Sequence, residues 1–135
     1  MFGLENLKHK KKLKQAFSDC FDPLKSLYDN VPLEMQTSRY ITASILGYCR
    51  GYADGCSIKE KAFDVIVDAV FEEIFRQDSL TVQTQTEKWL HAPDEEFMKA
   101  YYHAKDKASP ELDLKWLRDY SLEHFDAAHE VYHNT

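Results

Sequence analysis

Four carboxylates, Glu60, Asp64, Asp68 and Glu72, recur every four residues, a spacing that lines them along one side of a helix. Such a row attracts a cation, a basic partner, or the lysine-rich N-terminal stretch of the same or a neighbouring chain. Its plainest reading is a solvated face of an acidic protein. A second group lies near the C-terminus, where His124, His129 and His133 are interspersed with Asp126 and Glu130. His129 and His133 stand one helical turn apart and can hold one divalent ion. Glu130 and His133 repeat the Glu-x-x-His spacing of carboxylate-bridged metal bundles, whose remaining ligands must come from other helices.

Arg50 is the one charge inside the otherwise uncharged stretch Tyr40–Ala53, and Asp54 follows one turn later. Gly47 and Gly51 flank it and leave backbone bare. Gly47, Arg50, Gly51 and Asp54 therefore outline a crevice, with an Arg50–Asp54 pair at its rim, suited to an anionic ligand or a partner's carboxylate. Calcium chemistry is excluded at the adjoining loop. With Gly55 as the sixth position of an EF-hand loop, the first, third and twelfth positions fall on Arg50, Tyr52 and Lys61, none of which offers a carboxylate. No nucleophile elbow or phosphate-binding loop occurs, and Cys49 and Cys56 have no histidine near them in sequence.

A basic run, Lys8-His9-Lys10-Lys11-Lys12-Leu13-Lys14, gives residues 1–14 a net charge of +4 within a chain of net charge −6. The overall acidity argues against general nucleic-acid binding, which rests on neutralising phosphates. The run could touch an anionic membrane surface, but Leu7 and Leu13 supply a thin apolar face for that. No apolar run reaches the 18 or so residues a membrane span needs, and the lysines follow the first apolar residues instead of preceding them as in a secretory signal. Three cysteines without a C-x-x-C pair point to free thiols in a cytoplasmic protein.

The elements that must position these residues read as helices throughout. Leu13, Phe17, Cys20 and Phe21 give the segment from Phe2 to Cys20 one apolar side. Asp22-Pro23 reads as a restart, Asp22 capping a short helix that ends near Asn30. The segment from about Glu34 to Asp54 is apolar on most sides, as a central, buried helix must be. Ala43, Gly47 and Gly51 recur along it every four residues, a costly use of glycine that predicts close approach by another helix of the same chain. Gly55 suits the left-handed position that ends a helix, and Ser57 with Glu60 forms a capping box for the next.

That next helix, Ile58 to about Gln77, is strongly amphipathic, burying Ala62, Phe63, Ile66, Val67, Val70, Phe71, Ile74 and Phe75. Residues 79–86 alternate like a strand with no partner strand, which favours a loop. Thr84 and Glu87 then cap a short helix through Trp89-Leu90. Pro93 and the acids Asp94, Glu95 and Glu96 open another helix, running to about Lys107. Ser109-Pro110-Glu111 opens the last.

The order of an apolar helix ending Ala53-Asp54-Gly55, then Ser57 and Glu60 opening an amphipathic helix, resembles the first helical pair of the TerB-like family over about residues 40–75. The resemblance implies a small all-helical domain of the kind associated with tellurite resistance and stress responses. It also implies a metal-linked role for Asp54 and Glu60. The family's second Asp-Gly loop is missing here. Ala104-Lys105-Asp106-Lys107-Ala108-Ser109 comes nearest and lacks the glycine.

At 135 residues the chain reads as one all-α domain, a bundle of five to seven helices around the buried helix 34–54. The function expected is non-catalytic, an accessory or regulatory protein working through protein–protein contacts or self-association, with no cofactor. Divalent-metal binding through Asp54, Glu60, His129 and His133 is the alternative.

Overall fold

Residues 3–25 and 30–125 are described by a computed structural model, and every regular element among them is helical. The architecture is the expected all-α bundle. Its helices are α1 (Leu4–Phe21), α2 (Leu33–Gln36), α3 (Arg39–Gly55), α4 (Glu60–Phe75), α5 (Ser79–His91), α6 (Glu95–Lys107) and α7 (Lys115–His124), with 3₁₀ turns at Asp22–Leu24 and Arg76–Asp78. None of the described helices is long and apolar enough to cross a membrane. His129 and His133, with Asp126 and Glu130, lie outside the described residues.

The central helix is α3, and it starts later than its apolar pattern predicts. Residues 33–36 form a separate turn, and the Thr37 hydroxyl bonds back to the Leu33 carbonyl at 3.2 Å. The helix proper begins where Ser38 supplies a cap, its Oγ accepting from the Ile41 N–H at 3.1 Å. From there Ile41, Ile45, Tyr48, Cys49 and Tyr52 are buried in one core with Leu13, Phe17 and Phe21 of α1 and Phe63, Ile66, Phe71 and Ile74 of α4.

The glycine row on α3 is filled by α6. A Cβ placed on Gly47 would lie 2.1 Å from the Tyr101 carbonyl oxygen, and one on Gly51 would lie 2.3 Å from the Lys105 carbonyl oxygen. Ala43 packs with Phe97, Ala100 and Tyr101 one step earlier. The contacts advance in the same order on both helices, so α3 and α6 run in the same direction with their backbones touching. Ion pairs close both ends: Arg39 with Asp94 at 3.1 Å, and Asp54 with Lys105 at 3.7 Å. The neighbour is the chain's own helix, as expected, and it uses both glycines together.

The end of α3 departs from the expected capping. Gly55 is helical, and the left-handed residue is Ser57, with φ of 57°. Ile58 N–H bonds to the Ala53 carbonyl at 2.9 Å and Ser57 N–H to the Asp54 carbonyl at 3.3 Å, the paired bonds of a Schellman motif. Placed two residues past Gly55, this motif uses Ser57 as its turning residue. Ser57 therefore cannot cap α4, whose N-cap position is Lys59 without a side-chain bond. Among the described residues Asp22 makes no cap bond either: its carboxylate takes the Ser18 hydroxyl at 2.6 Å and pairs with Lys25 at 2.6 Å. Residues 26–29 of the short helix expected after it lie outside the described residues.

Residues 79–86 are helical, not a loop, and Thr84 and Glu87 sit inside α5. The Thr84 hydroxyl bonds back to the Leu80 carbonyl at 2.8 Å instead of capping. The sharp corner before α5 falls on Arg76, with φ of 53° and ψ of −126°, a cost of roughly 1–3 kcal/mol for a non-glycine residue. Buried Asn30 holds that corner, donating to the Phe75 carbonyl at 2.7 Å and to Asp78 at 2.8 Å.

Asp94 caps α6 as its acids predict, accepting from the Phe97 N–H at 2.9 Å. The last helix starts at Lys115, not at Ser109. Pro110 instead occupies the second position of a turn closed by Leu112 N–H to the Ser109 carbonyl at 3.1 Å, and Leu112 adopts φ of 54°.

Candidate functional site

Arg50 leaves α3 beside Gly51 and is held from two sides. Its guanidinium lies 3.7 Å from the centre of the Phe63 ring and forks onto Glu60, with nitrogen–oxygen distances of 3.0 and 3.1 Å. Glu60 opens α4 and Phe63 lies one turn on, so the α3–α4 corner carries both partners to one cation. The Arg50 fork holds the Glu60 carboxyl below the usual carboxylate range, outweighing the small opposing effect of burial. Asp54, the partner expected from the i,i+4 spacing, instead faces Lys105.

This clamp forms one end of a cleft of about 420 Å³ bounded by α3, α4, α5 and α6. Leu46, Phe63, Val67, Phe71 and Leu90 make its apolar floor. Glu60, Asp64, Glu87 and His91 stand on its rim, all exposed. His91 pairs with Glu87 at 3.7 Å, one turn apart on α5. Gln83 reaches across from α5 to Asp68 at 3.1 Å and marks the boundary of the cleft.

A larger depression, about 740 Å³, lies on the other side of α4 against α1. Half of its lining residues are charged, Lys10, Lys14 and Arg76 together with Asp68, Glu72 and Glu73. The acidic row on α4 is thereby divided. Asp68 and Glu72 line the depression that Lys10 and Lys14 also line, whereas Glu60 and Asp64 border the apolar cleft. A depression lined by charges of both signs, with little apolar surface to bury, offers a ligand less driving force. The smaller cleft has apolar surface to bury and is the better binding site.

The partner crevice expected over Gly47 and Gly51 is closed, because α6 occupies it. Of the four residues assigned to it, Arg50 alone lines the cleft. The metal ligands implied by the family resemblance are separated in role: Asp54 neutralises Lys105 and Glu60 neutralises Arg50. Among the described residues no three histidine, cysteine, aspartate or glutamate side chains come together to hold an ion. The described residues thus do not fit a divalent centre at the α3–α4 loop.

His9, isolated in sequence, meets Tyr52 with its Nδ1 2.8 Å from the phenol oxygen. Burial foremost, and then neighbouring Cys56, pushes the Tyr52 hydroxyl up to about 12. The imidazole is spent on a phenol that keeps its proton, not on activating a thiol. Burial also pushes the Cys20 and Cys49 thiols up to about 12, which suits inert core residues. The Tyr48 hydroxyl, deep in the core, has no partner of full hydrogen-bond geometry, and Ser109 is the polar residue near enough to oppose the rise that burial imposes.

Sequence reasoning missed Leu46, Glu87, Leu90, His91 and Tyr101 as lining residues. The usable signal was the Glu87–His91 spacing, hidden when the preceding residues read as a loop. Comparison with protein-family models, curated proteins and solved structures finds no match for this chain.

Proposed function

We propose that the protein is a non-catalytic helical domain that works through protein–protein contact, as an accessory or regulatory component, and that the α3–α6 cleft is its working surface. The observation that carries this reading is the pairing of an apolar floor with an acidic rim. Glu60, Asp64 and Glu87 outnumber Arg50 there, so the partner is a basic, amphipathic helix whose apolar residues meet Leu46, Val67 and Leu90. Groove recognition of this kind draws affinity from the buried apolar residues and specificity from the rim charges. Three free cysteines fit a protein kept in a reducing compartment such as the cytoplasm.

The test uses two labelled helical peptides of equal length, one built of leucine and lysine and one of leucine and glutamate, with binding followed by fluorescence anisotropy. The leucine–lysine peptide is expected to bind and the leucine–glutamate peptide to fail. Replacing Asp64 by Lys should weaken binding about tenfold, the equivalent of about 1.4 kcal/mol. Absence of binding by the leucine–lysine peptide at low ionic strength would overturn the reading.

A further inference from the structure

The first turns of α1 reach past the core. Its first buried residue is Leu13, and before that His9 reaches the body through Tyr52. Leu4 is 81% exposed and Leu7 42%. On a helix these two share one side with Lys8 and Lys11, also exposed. Lys10 and Lys14 flank Leu7 on the side nearer α4: with Leu7 and Lys11 they border a depression at Glu73, and they also line the one beside Asp68 and Glu72. Leu4, Leu7, Lys8 and Lys11 form a short exposed basic–apolar strip with spacing i, i+3, i+4 and i+7, the pattern by which a helix enters a groove.

Such a strip is what the α3–α6 cleft is built to receive. We propose that the cleft is occupied by α1 of a second copy of this chain, Leu4 and Leu7 on the apolar floor and Lys8 and Lys11 against Asp64 and Glu87. The inference rests on the cleft being a docking surface, as proposed above, and commits it to one occupant by complementarity of charge and apolar pattern. The two surfaces differ, so the contact is head-to-tail and each bound pair keeps one free strip and one free cleft. Two helical turns bury less than the roughly 1,200 Å² of a standard interface, which places the assembly in the weak, transient class.

Sedimentation velocity over a concentration series tests this, at about 0.1 M and about 1 M ionic strength, where charges are screened beyond about 10 and 3 Å. Mass should rise with concentration at the lower ionic strength and revert to monomer at the higher. The double variant Leu4→Glu/Leu7→Glu lacks the strip, and Asp64→Lys weakens the cleft. All these positions are exposed, and unchanged melting checks that both variants fold. Each variant alone should associate at least about tenfold more weakly. Mixed, they should recover a dimer that grows no further, because one supplies the intact cleft and the other the intact strip.

A mass independent of concentration would overturn the proposal, as would association that survives both substitutions or a mixture that recovers nothing. If the leucine–lysine peptide still binds in that event, the cleft remains a docking surface for another occupant. If it does not, both readings fall.

Discussion

Arg50 shows how far a residue's role was legible. Its type and its place among glycines marked it as an anchor, but the partner came out wrong. Asp54 is one turn away in sequence, whereas Glu60 is brought closer by the Schellman stop that folds α4 back over α3. Tertiary geometry decided the pairing, and no spacing rule reports it. The cysteines are the converse, since their burial follows from the apolar faces they sit on. Cys20 and Cys49 are buried and Cys56 is partly exposed. Native protein treated with iodoacetamide should therefore be modified at Cys56 and spared at Cys20 and Cys49 until it is unfolded, as read by peptide mass spectrometry. Rapid labelling of Cys49 in the native state would contradict the packing of α3.

At the scale of elements, the helices with strong apolar periodicity were legible and the one without it was not. The α4 face was predicted almost residue by residue, whereas α5 buries only Ser79, Val82 and Thr86, and the alternation of its first half reads as strand-like. Its helical state depends on packing between α4 and α6, which no local pattern records. The closeness of α3 and α6 was visible in the glycine row, and it makes a sharp prediction. Gly47→Ala gains about 1 kcal/mol of helix propensity but drives a methyl into the Tyr101 carbonyl, and backbone cannot step aside as a side chain would. Net destabilisation of about 1–3 kcal/mol is expected by thermal or denaturant unfolding. Gly55→Ala should do the reverse, gaining about 0.4–1 kcal/mol, because its conformation is helical and a Cβ there meets nothing within 4 Å. Equal effects at the two positions would refute the α3–α6 register.

For the whole molecule, the charge distribution ties helices together as well as keeping the surface polar. Asp94 is held below the usual carboxylate range by the Phe97 N–H and then by Arg39, and Glu60 by Arg50. Asp22 is also lowered, the bonds from Lys25 and Ser18 outweighing a burial effect that acts the other way. A depressed pKa in the folded state means stability that is present above the unfolded value, near 4, and lost as pH falls through the folded one. Melting temperature should accordingly decline as pH drops below about 4, and Glu60→Gln should make the decline shallower. An unchanged melting temperature down to pH of about 2 would show that these pairs stabilise nothing.

The shared direction of α3 and α6 also constrains when the molecule can form. Two helices running the same way cannot be neighbours in a hairpin, so the chain must travel out and back through α4 and α5 before Tyr101 can settle on Gly47. Contacts so distant along the chain close late and slowly, because the intervening loop must lose its freedom first. During synthesis, α3 leaves the ribosome with its glycine face bare and remains so until α6 has followed it. The contact that anchors the finished bundle is thus among the last that the growing chain can make.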